Sequence, residues 1–414
     1  MRKLNFMWMI FIASMVLFSS CQKEESVSEN YETVSEIPDH IQQKLKKLGF
    51  VVDEFTFAFE DGYIVEGDIM LTEAQMDQML QTGSPSTERH FSTNNLVNTG
   101  TSRILTVWRD PAFSSAMNNR IQQALNRYNA LNLRIRFQLT TNQSQADIRI
   151  TLVNFSNPNV YAAAGFPTAG NPFSSVRMGS GFYNTNNPPG NTVSVIAHEI
   201  GHCIGFRHMD YLNRSYSCGG AAVNEGDAGV GANPVVGTGD GNTPNSWMLA
   251  CVGLNVNRPF ILTDKIALSN LYGRNRDKGN VFLRYRKSGG GHFYTSNYNE
   301  VREGNSRIFS EGIMCRIYPN GGTGRKPVYR YFNRNNGNHF YTSNFNELGN
   351  GGGGYSYEGV AGYVFSSNAS GRVPIYRYFR NNGGFHFYTT NFNELGNGAS
   401  GYNLEGVIGY TYPN

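Results

Sequence analysis

Apolar positions along the chain switch between two periods, and each switch marks an element. Ile41, Leu45 and Leu48 fall on one face of a short helix, whereas Glu54–Phe59 and Tyr63–Val65 carry apolar residues as strands do. Together they make a small folded unit at 37–81. Residues 82–98 are rich in Ser, Thr, Gly and Asn and have no period, so 82–102 reads as a linker and a candidate cleavage region. A second unit starts at Arg103: Ile104–Trp108 reads as a strand, Met117, Ile121, Leu125 and Tyr128 mark a helix face, and Arg134–Leu139 and Ile148–Val153 read as two more strands. Tyr161–Met178 is expected as one irregular strand before a helix that opens at Thr192. The order strand, helix, strand, strand predicts an α+β fold over 103–275, a mixed twisted sheet with helices packed on it.

From 280 to 414 strands dominate and the sequence repeats. His292-Phe293-Tyr294-Thr295 returns as His339-Phe340-Tyr341-Thr342 and His386-Phe387-Tyr388-Thr389, 47 residues apart each time, and Glu-Gly follows at 311, 358 and 405 with the same spacing. Three β-rich copies predict an all-β module closed around a pseudo-threefold axis, because closure removes exposed sheet edges. Exposed aromatics would suit stacking on sugars or peptides. The preferred expectation instead puts Tyr and Phe in the core, with each histidine hydrogen-bonded inside its own copy. A metal site on three histidines so far apart in sequence is not expected.

At 414 residues the chain can build two or three cores. Charged residues make up 16% and glycines number 47, which favours β-rich, loop-rich extracellular architecture over helical bundles. The formal net charge is +4, and two of those charges, Arg2 and Lys3, belong to the leader; without a basic stripe elsewhere, nucleic acid is not a partner. The apolar run Phe6–Phe18 is short for a membrane span and reads as part of a signal peptide. Ser19-Ser20-Cys21 resembles a bacterial lipoprotein cleavage box, with Phe18 where leucine is usual. The resemblance implies a signal peptide at 1–21, lipid on Cys21, a tether at 22–36, and an outer-membrane lipoprotein, surface-exposed or released. In an oxidising compartment Cys203, Cys218, Cys251 and Cys315 allow three pairings, with Cys218–Cys251 preferred because the two flank the loop between His208 and Met248.

The candidate chemistry lies between 198 and 208. His198 and His202, at i and i+4, share a helix face, with Glu199 beside them; Gly205 can take positive φ and let His208 swing back as a third ligand. Three imidazoles leave one position of a tetrahedral Zn2+ for water, lowering its pKa to about 7. Glu199 then serves as general base and, once protonated, as acid toward the leaving amine. The competing reading is an amphipathic core helix with satisfied histidines.

The string His198–His208 matches the metzincin signature, and His-Glu-Ile-Gly-His resembles the dual-action HEIGH metallopeptidases, a likeness spanning about Arg103–Gly273. It implies one catalytic zinc and a methionine turn, which Asn245-Ser246-Trp247-Met248-Leu249 resembles, with Met248 as its methionine. It also implies that the edge strand before the zinc helix, here Tyr161–Met178, takes substrate as an added strand. The tyrosine that astacins carry after that methionine is absent. Asp210 either orients a histidine or holds the turn. The Gly-rich segment 213–245 is long enough to shape a pocket. Val65-Glu66-Gly67-Asp68-Ile69 resembles an astacin propeptide segment, implying that Asp68 occupies the open zinc position until 82–98 is cut; the alternative is a plain turn. The copies at 280–414 resemble a bacterial repeat of unassigned function that also appears beside cell-wall hydrolases, which implies a cell-surface glycan or protein ligand.

Two functions follow. The leading one is a lipid-anchored, monomeric zinc endopeptidase acting on extracellular proteins. The alternative is a surface adhesion or glycan/protein-binding lipoprotein whose repeats carry the function and whose zinc site is structural. Glu199 separates them, because a structural site needs no base and is normally closed by a fourth protein ligand.

Overall fold

The computed structural model of the chain describes residues 37–50, 52–53, 55–80, 90–226 and 230–414. The expected leader with Cys21, the tether at 22–36 and residues 82–89 of the expected linker lie outside the described residues. Among the described residues no helix is long and apolar enough to cross a membrane.

The stripe of Ile41, Leu45 and Leu48 is the buried face of α1 (Asp39–Leu48). Three short strands follow, β1 (Phe57–Phe59), β2 (Gly62–Val65) and β3 (Ile69–Leu71), then α2 (Glu73–Met79) and β4 (Phe91–Ser92). The next run is β5 (Arg103–Arg109), α3 (Ser115–Asn129), β6 (Ile135–Thr140), β7 (Ile148–Val153), β8 (Ala162–Ala164) and β9 (Ser175–Gly179). Helix α3 starts where the Ser114 hydroxyl accepts the Met117 amide, and it buries Met117, Ile121, Leu125 and Tyr128. Then come α4 (Ser180–Tyr183), α5 (Thr192–Cys203), α6 (Ser215–Cys218), β10 (Asn233–Pro234) and α7 (Leu262–Tyr272).

One mixed eight-stranded sheet runs β1-β2-β3-β8-β9-β7-β5-β6. Helices α3 and α5 pack against it through a core that includes Leu105, Val107, Ile121, Ile150, Val176 and Ile200. Three expectations need correction here. Residues 161–178 form two antiparallel strands rather than one, because Ala169 and Gly170 both take positive φ and Thr168 and Asn171 exchange backbone hydrogen bonds across that turn. Strand β8 is not an edge: β3 lies parallel to it, Ile69 opposite Ala164, so the small unit at 37–81 shares the sheet of the larger one. Residues 90–102 are not a free linker either. His90, Phe91 and Val97 are buried, β4 pairs with β10, and the Thr93 amide donates to the Gly205 carbonyl. Polar residues that read as loop serve there to hydrogen-bond a packed, extended segment.

The repeats form three-stranded antiparallel units, each with its first strand in the middle. These are β11 (Asn280–Lys287), β12 (His292–Thr295) and β13 (Ile308–Ile317); β14 (Arg325–Asn333), β15 (Asn338–Thr342), the two-residue β16 (Gly351–Gly352) and β17 (Tyr355–Phe365); and β18 (Val373–Arg380), β19 (Phe385–Thr389) and β20 (Tyr402–Thr411). The tyrosine of each His-Phe-Tyr-Thr closes the pseudo-threefold ring. The Tyr294 hydroxyl donates to the Tyr388 carbonyl at 2.9 Å, Tyr388 to Tyr341 at 2.7 Å, and Tyr341 to Tyr294 at 2.6 Å. Each hydroxyl also accepts a neighbour's backbone amide. Arg284–Glu394, Arg330–Glu300 and Arg377–Glu347 tie each copy to the next around the same ring. His292, His339 and His386 face Glu311, Glu358 and Glu405 of their own copies at 3.3, 3.3 and 3.4 Å, as preferred from the sequence. The first copy meets the rest of the fold at α7, where the Glu303 carboxylate accepts the amides of Leu262 and Thr263.

Candidate metal centre

Every residue of α5 is buried, so its histidines are held in the core, not on a surface. His198 and His202 lie one turn apart, ring centroids 4.6 Å from each other. The helix ends at Cys203, and Gly205 turns the chain at φ +100°; a Cβ there would stand 2.8 Å from Leu96 and 3.0 Å from the Asn95 carbonyl. That turn brings the His208 ring to 5.2 and 4.9 Å from the rings of His198 and His202. Gly201 has a different task. A Cβ on it would lie 2.6 Å from the sulfur of Met248, so a missing side chain makes the seat for the buried methionine turn. Asp264 fastens that turn from behind, accepting from the Ser246 hydroxyl at 2.6 Å and the Trp247 amide at 3.3 Å.

Each histidine spends Nδ1 on an oxygen. His198 donates to the Trp247 carbonyl (2.7 Å), His202 to the Phe206 carbonyl (2.8 Å) and His208 to the Glu225 carboxylate (2.7 Å). With the proton assigned to Nδ1, the Nε2 atoms of His198 and His202 present lone pairs that face each other at 3.0 Å. Two lone pairs that close repel unless a cation stands between them. Nitrogens on a tetrahedral zinc with bonds of 2.0–2.1 Å sit about 3.3 Å apart, so the donor set fits one zinc ion. Burial, then the charges of its two neighbours, pushes His202 well below the usual histidine range. Burial also disfavours charge on His208, but Asp68 and Glu225 outweigh it and hold its pKa high, a proton that a bound cation would replace.

Asp68 arrives from the turn between β2 and β3. Glu66 (φ +56°) and Gly67 (φ +85°) both take left-handed backbone, and the Asp68 carboxylate lies 3.0 Å from Nε2 of His208 and 3.5 Å from that of His198. Burial opposes its charge, yet His208 and hydrogen bonds from the histidines hold it well below the usual carboxylate range. Its backbone is fixed as well, since the Ala164 amide donates to the Asp68 carbonyl at 2.9 Å. Glu199 follows His198 on α5 and borders a cavity of about 510 Å3 lined also by Val195, Leu249, Val252 and Arg258. Burial first, then the Asp68 charge, raises its pKa well above the ordinary value, and one of its oxygens has no hydrogen-bond partner among the described residues.

Of the two roles weighed for Asp210, the geometry gives the turn. Its carboxylate accepts from the Ala250 amide (3.0 Å) and from the amide and hydroxyl of Ser217 (3.2 and 2.6 Å), and none of these partners among the described residues is a histidine. Glu225 orients His208 instead, and the sequence reading missed it together with Arg214, Glu66 and Asp264. Glu225 lies 17 residues past His208 in a glycine-rich loop, where no spacing rule marks it. Cys218 and Cys251 form the preferred disulfide, which ties that loop to the segment after Met248, while Cys203 and Cys315 are buried thiols.

Comparison with known proteins bears on the same region. A domain of unknown function (DUF5648) matches residues 280–412. No curated protein matches the chain. Among solved structures, High choriolytic enzyme 1, a hatching-enzyme zinc-protease of the medaka fish Oryzias latipes, is similar at 16% identity and a TM-score of 0.20, over 28% of this chain and 49% of that one. The match thus spans about half of that enzyme's length. Two structures of myroilysin are similar at 15% and 14% identity, with TM-scores of 0.28 and 0.27, over 43% and 50% of this chain and 85% and 98% of theirs. The family match is broader in kind: the dual-action HEIGH metallo-peptidase family model covers residues 63–272, just over half of the sequence and all of the histidine cluster. The chain belongs to the dual-action HEIGH metallo-peptidase family.

Proposed function

We propose that the protein is a zinc endopeptidase of the metzincin kind, exported and lipid-anchored at Cys21, that hydrolyses peptide bonds of extracellular proteins. His198, His202 and His208 hold the metal, Glu199 is general base and acid, and Asp68 keeps the intact chain latent. One observation carries the reading: the Nε2 atoms of three histidines converge, together with the Asp68 carboxylate, beside Glu199, a buried carboxylate that borders a cavity. Bound there, zinc supplies a Lewis acid that polarises a peptide carbonyl and makes water nucleophilic near neutral pH. Glu199 takes a proton from the attacking water and delivers it to the leaving nitrogen; its raised pKa suits a group that must do both. The apolar wall of Val195, Leu249 and Val252 accepts a side chain next to the scissile bond and excludes water.

Latency rests on the conformation of the segment at Glu66–Asp68. Strand β3 fills the position beside β8 where an added peptide strand would pair, and two successive left-handed residues keep the backbone turned rather than extended. It therefore blocks the cleft without offering a bond to cut. In the intact chain Asp68→Ala should raise peptide hydrolysis above that of the unmodified intact chain, but only part of the way to the level reached after limited proteolysis has severed the N-terminal unit, because β3 still fills the cleft. A variant as inactive as the unmodified intact chain would remove the case for Asp68.

A further inference from the structure

We propose that Arg214 is a substrate-binding residue: its guanidinium holds a main-chain carbonyl of the peptide in the cleft, and in the intact chain Glu66 occupies that donor. The inference rests on the peptidase reading above and deepens it. Arg214 lines the cavity together with Asp68, His198 and Glu199. Its Nη2 donates to the Glu66 main-chain carbonyl at 2.8 Å. Two residues further along the same backbone, the Asp68 carboxylate stands among the three histidines. In the turned segment lying there, two residues separate the carbonyl on the guanidinium from the residue whose side chain reaches the metal position, and an extended peptide spans at least as far in the same number of residues.

The other side of Arg214 is fixed by groups that do not leave with that segment. Its Nε faces the Glu225 carboxylate at 3.3 Å, the same carboxylate that takes the His208 proton. Its amide donates to the Val223 carbonyl, and Cys218, which ends the helix Arg214 opens, is bonded to Cys251. Loss of the Glu66 carbonyl leaves this charged donor to water, held in place at the cleft, and a hydrogen bond from a charged group to a carbonyl is worth more than one between neutral groups. Any polypeptide running through the cleft presents a carbonyl to satisfy it. The contact reads backbone and not side chain, so it favours chains with at least two residues on that side of the scissile bond and is indifferent to their identity.

The test uses the full chain with its N-terminal unit severed by limited proteolysis, unmodified and as Arg214→Ala, Arg214→Lys and Glu199→Gln, with zinc content measured for each. Substrates are one peptide with three residues on either side of the cleaved bond and two capped peptides with a single residue on one side or the other. On the long peptide Arg214→Ala should raise KM about tenfold or more with kcat changed less than about twofold, and Arg214→Lys should recover part of the loss. On one of the two short peptides the same alanine variant should cost nothing further. An equal loss on all three peptides, or a fall in kcat alone, would reduce Arg214 to a support for Glu225 and overturn the proposal, as would no loss on any. Absence of Glu199-dependent turnover in the unmodified chain is a separate result: it refutes the peptidase reading and takes this contact's role with it.

Discussion

The protein contains two sets of three histidines in company with glutamates, and they have opposite fates. In the repeats His292, His339 and His386 spend Nε2 on a glutamate of their own copy, and that glutamate also faces an arginine of the copy. Among the described residues these three histidines belong to no group close enough to share a metal ion. At the end of α5 the three histidines spend Nδ1 instead, on two carbonyls and one carboxylate, and every Nε2 points inward to a shared centre. Residue type is the same in both places; what differs is which ring nitrogen the surroundings consume. The repeats keep their histidines in separate copies, whereas the metal centre gathers three Nε2 atoms around one point beside Glu199, a buried carboxylate with an unpartnered oxygen. Convergence of ligand atoms is what binds an ion.

Breaking each set should therefore have unequal consequences. The largest effect is expected at the metal centre: His202→Ala should abolish stoichiometric zinc and lower peptide hydrolysis more than about a hundredfold, since even the partners of zinc ligands are worth 10- to 100-fold. His339→Ala, measured alongside, should leave zinc content and hydrolysis unchanged; loss of zinc in that variant would erase the distinction. Next in size is the tyrosine ring. Tyr341→Phe removes a hydroxyl that serves both the carbonyl and the amide of Tyr294, so urea unfolding followed in the repeats should show a loss of about 2 kcal/mol with hydrolysis intact. The smallest effect is a pH dependence of the repeats. The hydrogen bond from His386, then the Arg377 charge, lowers the pKa of Glu405. A depressed carboxylate stabilises the fold above its unfolded pKa, about 4.3 for glutamate, and that stability is lost as pH falls through the folded value. Thermal midpoints of the repeats should accordingly fall below about pH 4.5, and Glu405→Gln should flatten that decline.

The line between what was readable and what was not follows the range of the forces involved. The i, i+4 spacing of His198 and His202, the break at Gly205 and the 47-residue repeat are local patterns, and the helix, the returning His208 and the three-copy ring follow from them. The pairing of β3 with β8 is not local: Ile69-Met70-Leu71 is a run of three apolar residues that shows no alternation, and nothing in it names its partner. The turn inside 161–178 was legible in Gly170-Asn171-Pro172, residue types that punctuate strands, although Ala169, its other left-handed position, carries no such signature. Residues 90–102 looked like linker because Ser, Thr and Asn also suit a partly buried segment tied down by hydrogen bonds at positions such as Thr93, Asn94 and Asn98. Glu225 is the hardest case. Its place against His208 depends on how a long loop folds back, and the contact exists only in three dimensions.

In the proposed reaction three imidazoles hold zinc while Glu199 alone moves the proton. Zinc content and peptide hydrolysis of Glu199→Gln, measured together on the proteolytically opened chain, separate these two tasks. One zinc per chain, as in the unmodified protein, is expected, with hydrolysis lower by about 100- to 10,000-fold; unchanged hydrolysis at full zinc occupancy would refute the role of Glu199.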